Sequence, residues 1–530
     1  MNKVIVFGLD GATWKVLKPL CDQDKLPNIK RLMTEGVFGE LESTFPPVTG
    51  PAWLSMATGK NPGKTGVFDF LNRASEQYSH EVIDSSKFKD NKAYWDYLDK
   101  NGFRINIVNY PMLYPPYRIN GVMISGTGAP TEEKITYPPS FRQELNGIAN
   151  NYQVSLPWDT PKYRHNLGLF LRDLDKLLQK RISVNEYLLQ KEWDLMVTIF
   201  SVSDYLQHVM WKYWENQLLS PEFTLKFIQT WQRIDEGVGK LCSLLPSNTN
   251  ILIVSDHGFG PLRGNFLINK WLAQQGFLIK KTGIRTGLKA YFQNKLIVSH
   301  FGRAMQALLK KLSLNIYNFV RRKVVSDFAI PPFNQIDMSQ TKAFASGYTS
   351  SAHGGIYLQN CNGIEYEAIR ERIINGLREF GDLHGIKIDC YKREEIYWGA
   401  KVNLAPDILF KVNDHEYNIQ TTKLDGETLQ KTAPFVNKSG SHRKEGIFIA
   451  YGPDIKEGAQ IRGAKIYDIA PTILHMFGLP IPDDMDGRVL KEIFKEGSEP
   501  AWREVKYQKV GLEKERVREK IGKLKESGRL

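Results

Sequence analysis

Three short apolar runs of this chain each end in an aspartate. They span residues 4–10, 195–204 and 250–256, and their last residues are Asp10, Asp204 and Asp256. Continuous apolar runs of this length are typical of parallel strands that are buried on both faces. In open α/β sheets, functional groups gather just beyond the carboxyl ends of the strands. The pattern therefore predicts an α/β fold in which three carboxylates from distant parts of the chain meet at one point.

Histidines accompany two of these aspartates. His208 follows Asp204 by four residues, and His257 follows Asp256 directly. A single Asp-x-x-x-His pair is more often a solvated or capping pair than a metal site. Two such pairs behind strand-like runs, with Asp10 behind a third run, indicate a site of mixed oxygen and nitrogen ligands. Such ligands suit zinc or a similar divalent ion.

The length of 530 residues favours a large α/β body with insertions. Residues 1–130 alternate short apolar runs with helical stretches, which predicts repeated βα units. Long helical patterns at 165–193 and 221–245 precede the second and third aspartate runs. Further strand signals follow at 355–358, 407–411 and 446–450.

The chain shows no signal-peptide pattern and no stretch of eighteen uncharged apolar residues. We therefore expect a cytoplasmic protein. The four cysteines lie far apart without CxxC spacing, which argues against a disulfide framework and against a thiolate zinc site.

The positive charge of the chain is concentrated in one segment. The formal net charge is +13, and residues 280–323 contain eleven Lys or Arg and no Asp or Glu. Apolar residues at helical spacing separate these charges, so the segment is predicted to be an inserted amphipathic helical region. One interpretation is peripheral contact with an anionic membrane or a polyanionic substrate. The other is a cap over the active-site mouth whose charges are simply solvated. No specific nucleic acid is expected, because no nucleic-acid-binding motif is present.

This basic segment divides the predicted α/β core into two parts. The predicted parts are the first part of an α/β core at 1–275, the basic insertion at 276–330, the second part of the core at 331–495, and a charged helical tail at 496–530.

A turn rich in Pro and Gly leads into a short helical stretch that begins near Thr49. Threonine is a good N-cap, and its hydroxyl would then lie beside free backbone N–H groups. That position suits a nucleophile that attacks phosphorus. The alternative interpretation is that Thr49 merely caps the helix.

The ordered set of motifs resembles the alkaline phosphatase superfamily, and in particular its type I phosphodiesterase and nucleotide pyrophosphatase branch. The resemblance covers about residues 1–270 and 340–490. Its motifs are Gly8-Leu-Asp10-Gly, the Thr49 loop that runs to Thr58-Gly59, Asp204-x-x-x-His208, Ser255-Asp256-His257-Gly258 and Gly440-Ser-His442.

The resemblance implies a three-layer α/β/α sandwich with a mostly parallel central sheet and two divalent metal ions. One ion would be held by Asp10, Asp256 and His257 and would touch the hydroxyl of Thr49; the other would be held by Asp204, His208 and His442. Zinc is the ion that the ligand types favour, with manganese or iron as alternatives. Thr49 would be the catalytic nucleophile and would form a covalent phospho-threonine.

One position departs from the family pattern. Nucleotide pyrophosphatases commonly have an asparagine three residues after the nucleophile, where this chain has Ala52. The backbone N–H at Gly50, or the side chain of Lys60 or Lys64, is the candidate replacement donor. His353 is a further candidate substrate contact. The loop also excludes a sulfatase, which would require cysteine at Thr49 and arginine at Trp53.

The function implied is metal-dependent hydrolysis of phosphodiester or pyrophosphate bonds in a small phosphate ester or a lipid head group. A phosphotransferase that acts on a lipid head group or glycan at a membrane surface is one alternative. A non-catalytic, membrane-binding member of the fold is another, although all seven predicted metal-site positions are filled.

Overall fold

The computed structural model describes residues 2–73, 80–130, 133–281, 335–346, 352–431 and 438–510. Most of the predicted basic insertion and residues 511–530 of the predicted tail lie outside the described residues.

The strands of the described residues follow in chain order. They are β1 (Lys3–Leu9), β2 (Val37–Glu42), β3 (Leu71–Arg73), β4 (His80–Val82), β5 (Ile105–Tyr110), β6 (Gly121–Ser125), β7 (Thr136–Tyr137), β8 (Leu195–Phe200), β9 (Thr249–Val254), β10 (Gly258–Pro261), β11 (Gly264–Leu267), β12 (Ala343–Ala345), β13 (His353–Leu358), β14 (Ile388–Lys392), β15 (Ile408–Val412), β16 (Tyr417–Gln420), β17 (Leu429–Gln430), β18 (Gly440–Arg443), β19 (Glu445–Tyr451), β20 (Ala459–Lys465), β21 (Ile481–Pro482) and β22 (Tyr507–Gln508).

The α-helices of the same residues are α1 (Trp14–Asp22), α2 (Pro27–Thr34), α3 (Thr49–Thr58), α4 (Pro62–Thr65), α5 (Ser85–Asn91), α6 (Tyr94–Lys100), α7 (Phe141–Ile148), α8 (Pro161–Arg164), α9 (Leu167–Leu189), α10 (Val202–Glu215), α11 (Pro221–Ser243), α12 (Ile268–Gln274), α13 (Gly363–His384), α14 (Arg393–Ile396), α15 (Ile469–Met476) and α16 (Glu499–Trp502). None of these helices is long and apolar enough to span a membrane.

A nine-stranded sheet organises the fold, with the strand order β20-β2-β19-β9-β1-β8-β5-β6-β7. The five strands from β9 to β6 are mutually parallel, whereas β19 and β7 are antiparallel to their neighbours. The predicted mixed α/β fold with a large, mostly parallel sheet is therefore confirmed. A separate antiparallel sheet, with the order β12-β13-β15-β14, packs with α12 and α13 around its own apolar core.

Alternate residues of β1 show how the central sheet is covered. Ile5, Phe7 and Leu9 pack on one face with apolar side chains of α9, α10 and α11. Val4 and Val6 pack on the other face with side chains of α3, α6 and α15. Side chains of a strand point to opposite faces in turn, so a strand with an unbroken apolar sequence must be covered by helices on both sides.

The second aspartate run contains a strand and the start of a helix. Strand β8 ends at Phe200, and Asp204 lies in the first turn of α10. The prediction that this strand reaches Asp204 is wrong, because the buried first turn of α10 continues the apolar run beyond the end of the strand. In the predicted tail, α16 is followed by β22, which pairs with β21.

Gly8 sets how closely α3 approaches β1. A Cβ atom at this position would lie 2.4 Å from Ile199 Cδ1 and 2.5 Å from Trp53 Cη2. Trp53 is fully buried on α3, the helix that also carries Thr49. The absence of a side chain at Gly8 therefore allows the close packing that brings Thr49 near the end of β1.

We expect Gly8→Ala to destabilise the protein by about 1–3 kcal/mol, because the added methyl group overpacks the layer between β1 and α3. Urea unfolding followed by tryptophan fluorescence measures the change. Gly147→Ala is the matched control, since a Cβ there meets nothing within 4 Å on an exposed position of α7. That control should be neutral or stabilising; equal loss in both variants would contradict the close-packing argument.

Candidate metal centre

Two neighbouring parallel strands deliver the first group of candidate ligands. Asp10 follows β1, and Asp256 and His257 follow β9, its neighbour in the sheet. His257 Nε2 lies 3.6 Å from Asp10 Oδ1 and 3.3 Å from Asp256 Oδ2. All three side chains are buried, and their ligand atoms converge closely enough to share one ion.

The second group comes from a helix and a short hairpin. Asp204 and His208 are one turn apart on α10, which places them on the same helix face. His442 lies on β18, which pairs with β10 immediately after His257. His208 Nε2 is 3.3 Å from Asp204 Oδ1 and 3.0 Å from His442 Nε2, and His442 Nε2 is 3.5 Å from Asp204 Oδ1.

The two groups form one continuous cluster. The rings of His257 and His442 stack with centroids 3.6 Å apart, and the ligand atoms of Asp204, His257 and His442 also converge. The structure thus brings together the six predicted Asp and His ligands. Their assignment to particular ions remains a prediction.

Backbone carbonyls orient all three imidazoles. The Nδ1 atoms of His208, His257 and His442 lie 3.1, 3.1 and 2.9 Å from the carbonyl oxygens of Gly440, Gly258 and Pro47. A carbonyl can only accept a hydrogen bond, so each Nδ1 donates. In the neutral ring the lone pair is then on Nε2, which points into the cluster. Burial lowers the pKa of His208 and, with the neighbouring His257, lowers that of His442 well below its usual range.

Three buried carboxylate oxygens in the cluster accept no hydrogen bond: Asp10 Oδ1, Asp204 Oδ1 and Asp256 Oδ2. Burial, with the neighbouring carboxylates, raises the pKa of Asp10 well above its usual range, and burial raises that of Asp256 to about 7. Burial also acts against ionisation of Asp204, but His208 and His442 outweigh it and hold its pKa well below the usual range.

Within the described residues, the ion pairs of these carboxylates are with histidines alone. Buried carboxylates and imidazole lone pairs that face one another are stabilised by a cation between them. The cluster therefore fits divalent metal ions, and His and Asp side chains are ligands that zinc, manganese and iron accept.

Thr49 lies beside the first group of ligands. It is the first residue of α3, and its Oγ1 is 3.5 Å from His257 Nε2. The prediction that Thr49 is the N-cap is wrong: Val48 holds that position, and the helix start has no side-chain cap hydrogen bond. The hydroxyl of Thr49 is therefore not used to cap the helix. The Gly50 N–H belongs to the first turn of the same helix, where backbone donors lack intrahelical partners and attract anions.

The structure does not bring Lys60 to this cluster. Lys60 follows the C-terminal end of α3, roughly 15 Å from its start for a helix of ten residues. Its Nζ lies 2.5 Å from Asp484 Oδ2 and 2.8 Å from the carbonyl oxygen of Asn91. Lys64 similarly pairs with Asp486.

His353 is also not among the converging ligands of the described residues. It lies on β13 of the separate antiparallel sheet, where burial and the charge of His415 lower its pKa to about 3. The Ala52 methyl is fully buried in the apolar layer of α3. The Ala52 methyl offers no hydrogen-bond donor, and His353 as a substrate contact remains a prediction.

Two neighbours of the cluster were missed by the sequence reasoning. The ring of Trp158 stacks on His208, with centroids 4.7 Å apart and an interplanar angle of 13°. Lys438 is buried near the same helix turn, because the N–H of Ser439 donates to the carbonyl oxygen of His208 at 2.7 Å. Its position four residues before His442 is a signal that could have identified it, whereas nothing in the sequence links Trp158 to His208.

We expect divalent metal to raise the midpoint of thermal unfolding, because it relieves the repulsion among the buried carboxylates. A free concentration of 100 times Kd corresponds to about 2.7 kcal/mol of stabilisation. Calorimetry of chelated protein, with and without added zinc or manganese, measures the shift.

Asp256→Asn should lose most of this shift. Asp235→Asn is the matched control, because Asp235 is a buried carboxylate that accepts backbone hydrogen bonds from Asn28 and Ile29 away from the cluster. This control should keep the shift even if it is less stable. An unchanged shift in Asp256→Asn would contradict a metal site here.

Comparisons with known proteins find solved structures with a similar fold. A human ectonucleotide pyrophosphatase/phosphodiesterase 5 structure is similar, with 14% identity, a TM-score of 0.51, and coverage of 93% of this chain and 100% of that one. The murine protein, an inactive threonine-to-alanine variant in complex with AMP, is 13% identical with a TM-score of 0.52. The match covers 93% of this chain and 100% of that one. Phosphonoacetate hydrolase from Sinorhizobium meliloti is 13% identical with a TM-score of 0.54. The match covers 88% of this chain and 94% of that one. These likenesses show a shared fold.

No curated protein sequence matches the chain. The family model described as type I phosphodiesterase/nucleotide pyrophosphatase matches residues 4–442, which confirms the resemblance inferred from the motifs. The chain therefore belongs to the type I phosphodiesterase/nucleotide pyrophosphatase family and is a phosphoric ester hydrolase.

Proposed function

We propose that this protein hydrolyses phosphodiester or pyrophosphate bonds with two divalent metal ions, through a covalent phosphoryl group on Thr49. The observation that carries the proposal is the Thr49 hydroxyl, which lies 3.5 Å from His257 Nε2 at the edge of the carboxylate and histidine cluster. Zinc is the ion that we propose, with manganese or iron as alternatives.

Each group of ligands has a separate task in this proposal. Asp10, Asp256 and His257 would hold the ion beside Thr49, and the second group, on α10 and β18, would hold the other. Two such ions would clamp phosphoryl oxygens, favour ionisation of the attacking hydroxyl and stabilise the leaving oxygen.

The proposed role of Thr49 is nucleophilic substitution at phosphorus. Thr49 Oγ1 forms a bond to phosphorus while the bond from phosphorus to the leaving oxygen breaks, with the two oxygens in line. The Gly50 N–H at the start of α3 binds a phosphoryl oxygen. Water then attacks the phospho-threonine, releases the phosphorylated product and restores the hydroxyl.

The murine relative supports the essential threonine, because replacing one threonine by alanine made that protein inactive, and it was solved with AMP bound. The buried Ala52 methyl supplies no hydrogen bond at the place where nucleotide pyrophosphatases commonly have asparagine.

The proposed partners are a small phosphate ester or a lipid head group, in the cytoplasm or at a membrane surface. Peripheral contact through residues 280–323 remains a prediction, since nearly all of that segment lies outside the described residues. Sedimentation with anionic lipid vesicles tests it; binding no stronger than to neutral vesicles would contradict it.

Thr49→Ala should reduce kcat for a p-nitrophenyl phosphodiester or a dinucleoside pyrophosphate by roughly 1,000-fold or more, because the nucleophile is lost. Thr49→Ser, which keeps a hydroxyl, should retain part of the activity. Acid quenching during turnover, followed by peptide mass spectrometry, should detect the phosphoryl adduct on wild-type Thr49.

Thr58→Ala is the control on the same helix. Thr58 is buried at the far end of α3, where its hydroxyl donates to the carbonyl oxygen of Leu54. Its loss should lower stability by about 1 kcal/mol and leave most of the activity. Full activity in Thr49→Ala, or an adduct on another residue, would disprove the proposed nucleophile.

A further inference from the structure

The loop before α3 contains two consecutive prolines, Pro46 and Pro47. Proline has no backbone N–H, so this loop depends on its carbonyl oxygens for hydrogen bonds. The carbonyl oxygen of Pro46 accepts bonds from within the loop, from the Thr44 hydroxyl at 2.8 Å and the Val48 N–H at 2.9 Å. The carbonyl oxygens of Phe45 and Pro47 accept bonds from outside the loop.

Two distant parts of the chain supply these outside donors. His442, a candidate metal ligand, donates from Nδ1 to the carbonyl oxygen of Pro47 at 2.9 Å. The Tyr397 hydroxyl donates to the carbonyl oxygen of Phe45 at 2.7 Å. The loop is therefore held on one side by the ligand cluster and on the other by Tyr397. Thr49 lies two residues beyond the first of these carbonyls and four beyond the second.

Tyr397 comes from the separate antiparallel sheet β12-β13-β15-β14, which we call the small sheet. It follows α14 directly, in the segment that joins β14 to β15. Ile408 and Phe410 of β15 face the apolar core that α12 and α13 cover. Leu409 lies between them in sequence and so points to the opposite face, where it packs in one cluster with Tyr397 and Phe68. The second face of the small sheet thus packs on the first part of the α/β core.

The same face of the small sheet contacts the Phe45 side chain. The Phe45 ring meets the Tyr391 ring of β14 edge-on, with centroids 5.6 Å apart, and its centroid lies 5.9 Å from that of His415. Tyr397 is only 3% exposed, and its ring packs on Phe68 with centroids 5.0 Å apart. Both the ring and the carbonyl of Phe45 are therefore held by a sheet that adds no residue to the converging ligand groups of the described residues.

The geometry of the attack explains why this support matters. The Thr49 oxygen must lie in line with the bond that breaks at phosphorus. A displacement of about 1 Å can cost about 100-fold in rate. With Phe45 held by the small sheet and Pro47 by His442, both ends of the proline turn are fixed just before α3. Loss of the Tyr397 bond should let the start of α3 shift without removing a metal ligand.

We propose that Tyr397 is a positioning residue, which holds the loop before α3 through its hydrogen bond to Phe45 and so keeps the Thr49 hydroxyl in line for attack. This inference rests on the proposed function and gives the small sheet a part in that site. Tyr397 acts through the backbone of the loop and not by contact with the substrate.

The test compares Tyr397→Phe with Tyr366→Phe on bis(p-nitrophenyl) phosphate. The Tyr366 hydroxyl of α13 donates to Asp407 Oδ1 at 2.7 Å just before β15, so this matched control loses a bond that does not reach the loop. Phenylalanine keeps the ring that packs on Phe68, so Tyr397→Phe should fold. We expect kcat of Tyr397→Phe to fall roughly tenfold while KM stays within about twofold, and both values of the control to stay near wild type.

A purely structural role of Tyr397 would give a different result. It would lower thermal stability and leave kcat of the folded protein unchanged, or lower kcat equally in the two variants. Either result, like a loss of kcat/KM that comes only from a higher KM, would overturn the proposal.

Hydrogen–deuterium exchange tests the loop independently of turnover. A peptide that covers residues 43–54 should exchange faster in Tyr397→Phe than in wild type or Tyr366→Phe, because the loop loses one of its two outside bonds. Unchanged exchange would overturn the role of Tyr397 even if no phosphodiester is hydrolysed. Faster exchange in a protein whose wild type shows no turnover would support the role of Tyr397 in holding the loop and contradict the proposed function instead.

Discussion

The convergence of three buried carboxylates is the constraint on which the rest of this site depends. Asp10, Asp204 and Asp256 each keep one oxygen without a hydrogen bond, and within the described residues no lysine or arginine forms an ion pair with them. Burying ionised groups without compensation costs several kcal/mol each. The backbone carbonyls that accept hydrogen bonds from the three histidine Nδ1 atoms also direct the Nε2 lone pairs toward these oxygens, which adds to the negative potential in the cluster. A bound cation would therefore stabilise this arrangement.

The fold satisfies this constraint by combining two kinds of support. The ends of β1 and β9 are adjacent because the strands are parallel neighbours, so Asp10 and Asp256 meet through the geometry of the sheet alone. The second group depends on α10 and on β18, which returns from a distant part of the chain. His442 also hydrogen-bonds the carbonyl oxygen of Pro47, which connects this group to the loop before Thr49. Thr49 and the two groups of candidate ligands are therefore held as one unit.

The two halves of the cluster have different surroundings. The half beside Thr49 is enclosed by the central sheet and α3. The half beside His208 faces Trp158 and the segment of Lys438, which come from outside the parallel strands. Family membership accounts for the shared reaction, whereas the substrate class depends on groups that surround the reacting centre.

Strand periodicity and i,i+4 spacing are local patterns, so the sequence by itself indicated the α/β class and five candidate ligands, Asp10, Asp204, His208, Asp256 and His257. His442 was added only by the resemblance of the ordered motifs to a known family. Sequence reasoning failed at Asp204, where a buried helical turn continues an apolar strand. It also proposed Lys60, which is near Thr49 in sequence but lies beyond the far end of α3. Only the tertiary structure placed Trp158 and the backbone of Ser439 against His208. Those contacts join segments about 50 and 230 residues apart, and their proximity is decided by how the layers pack rather than by any local pattern.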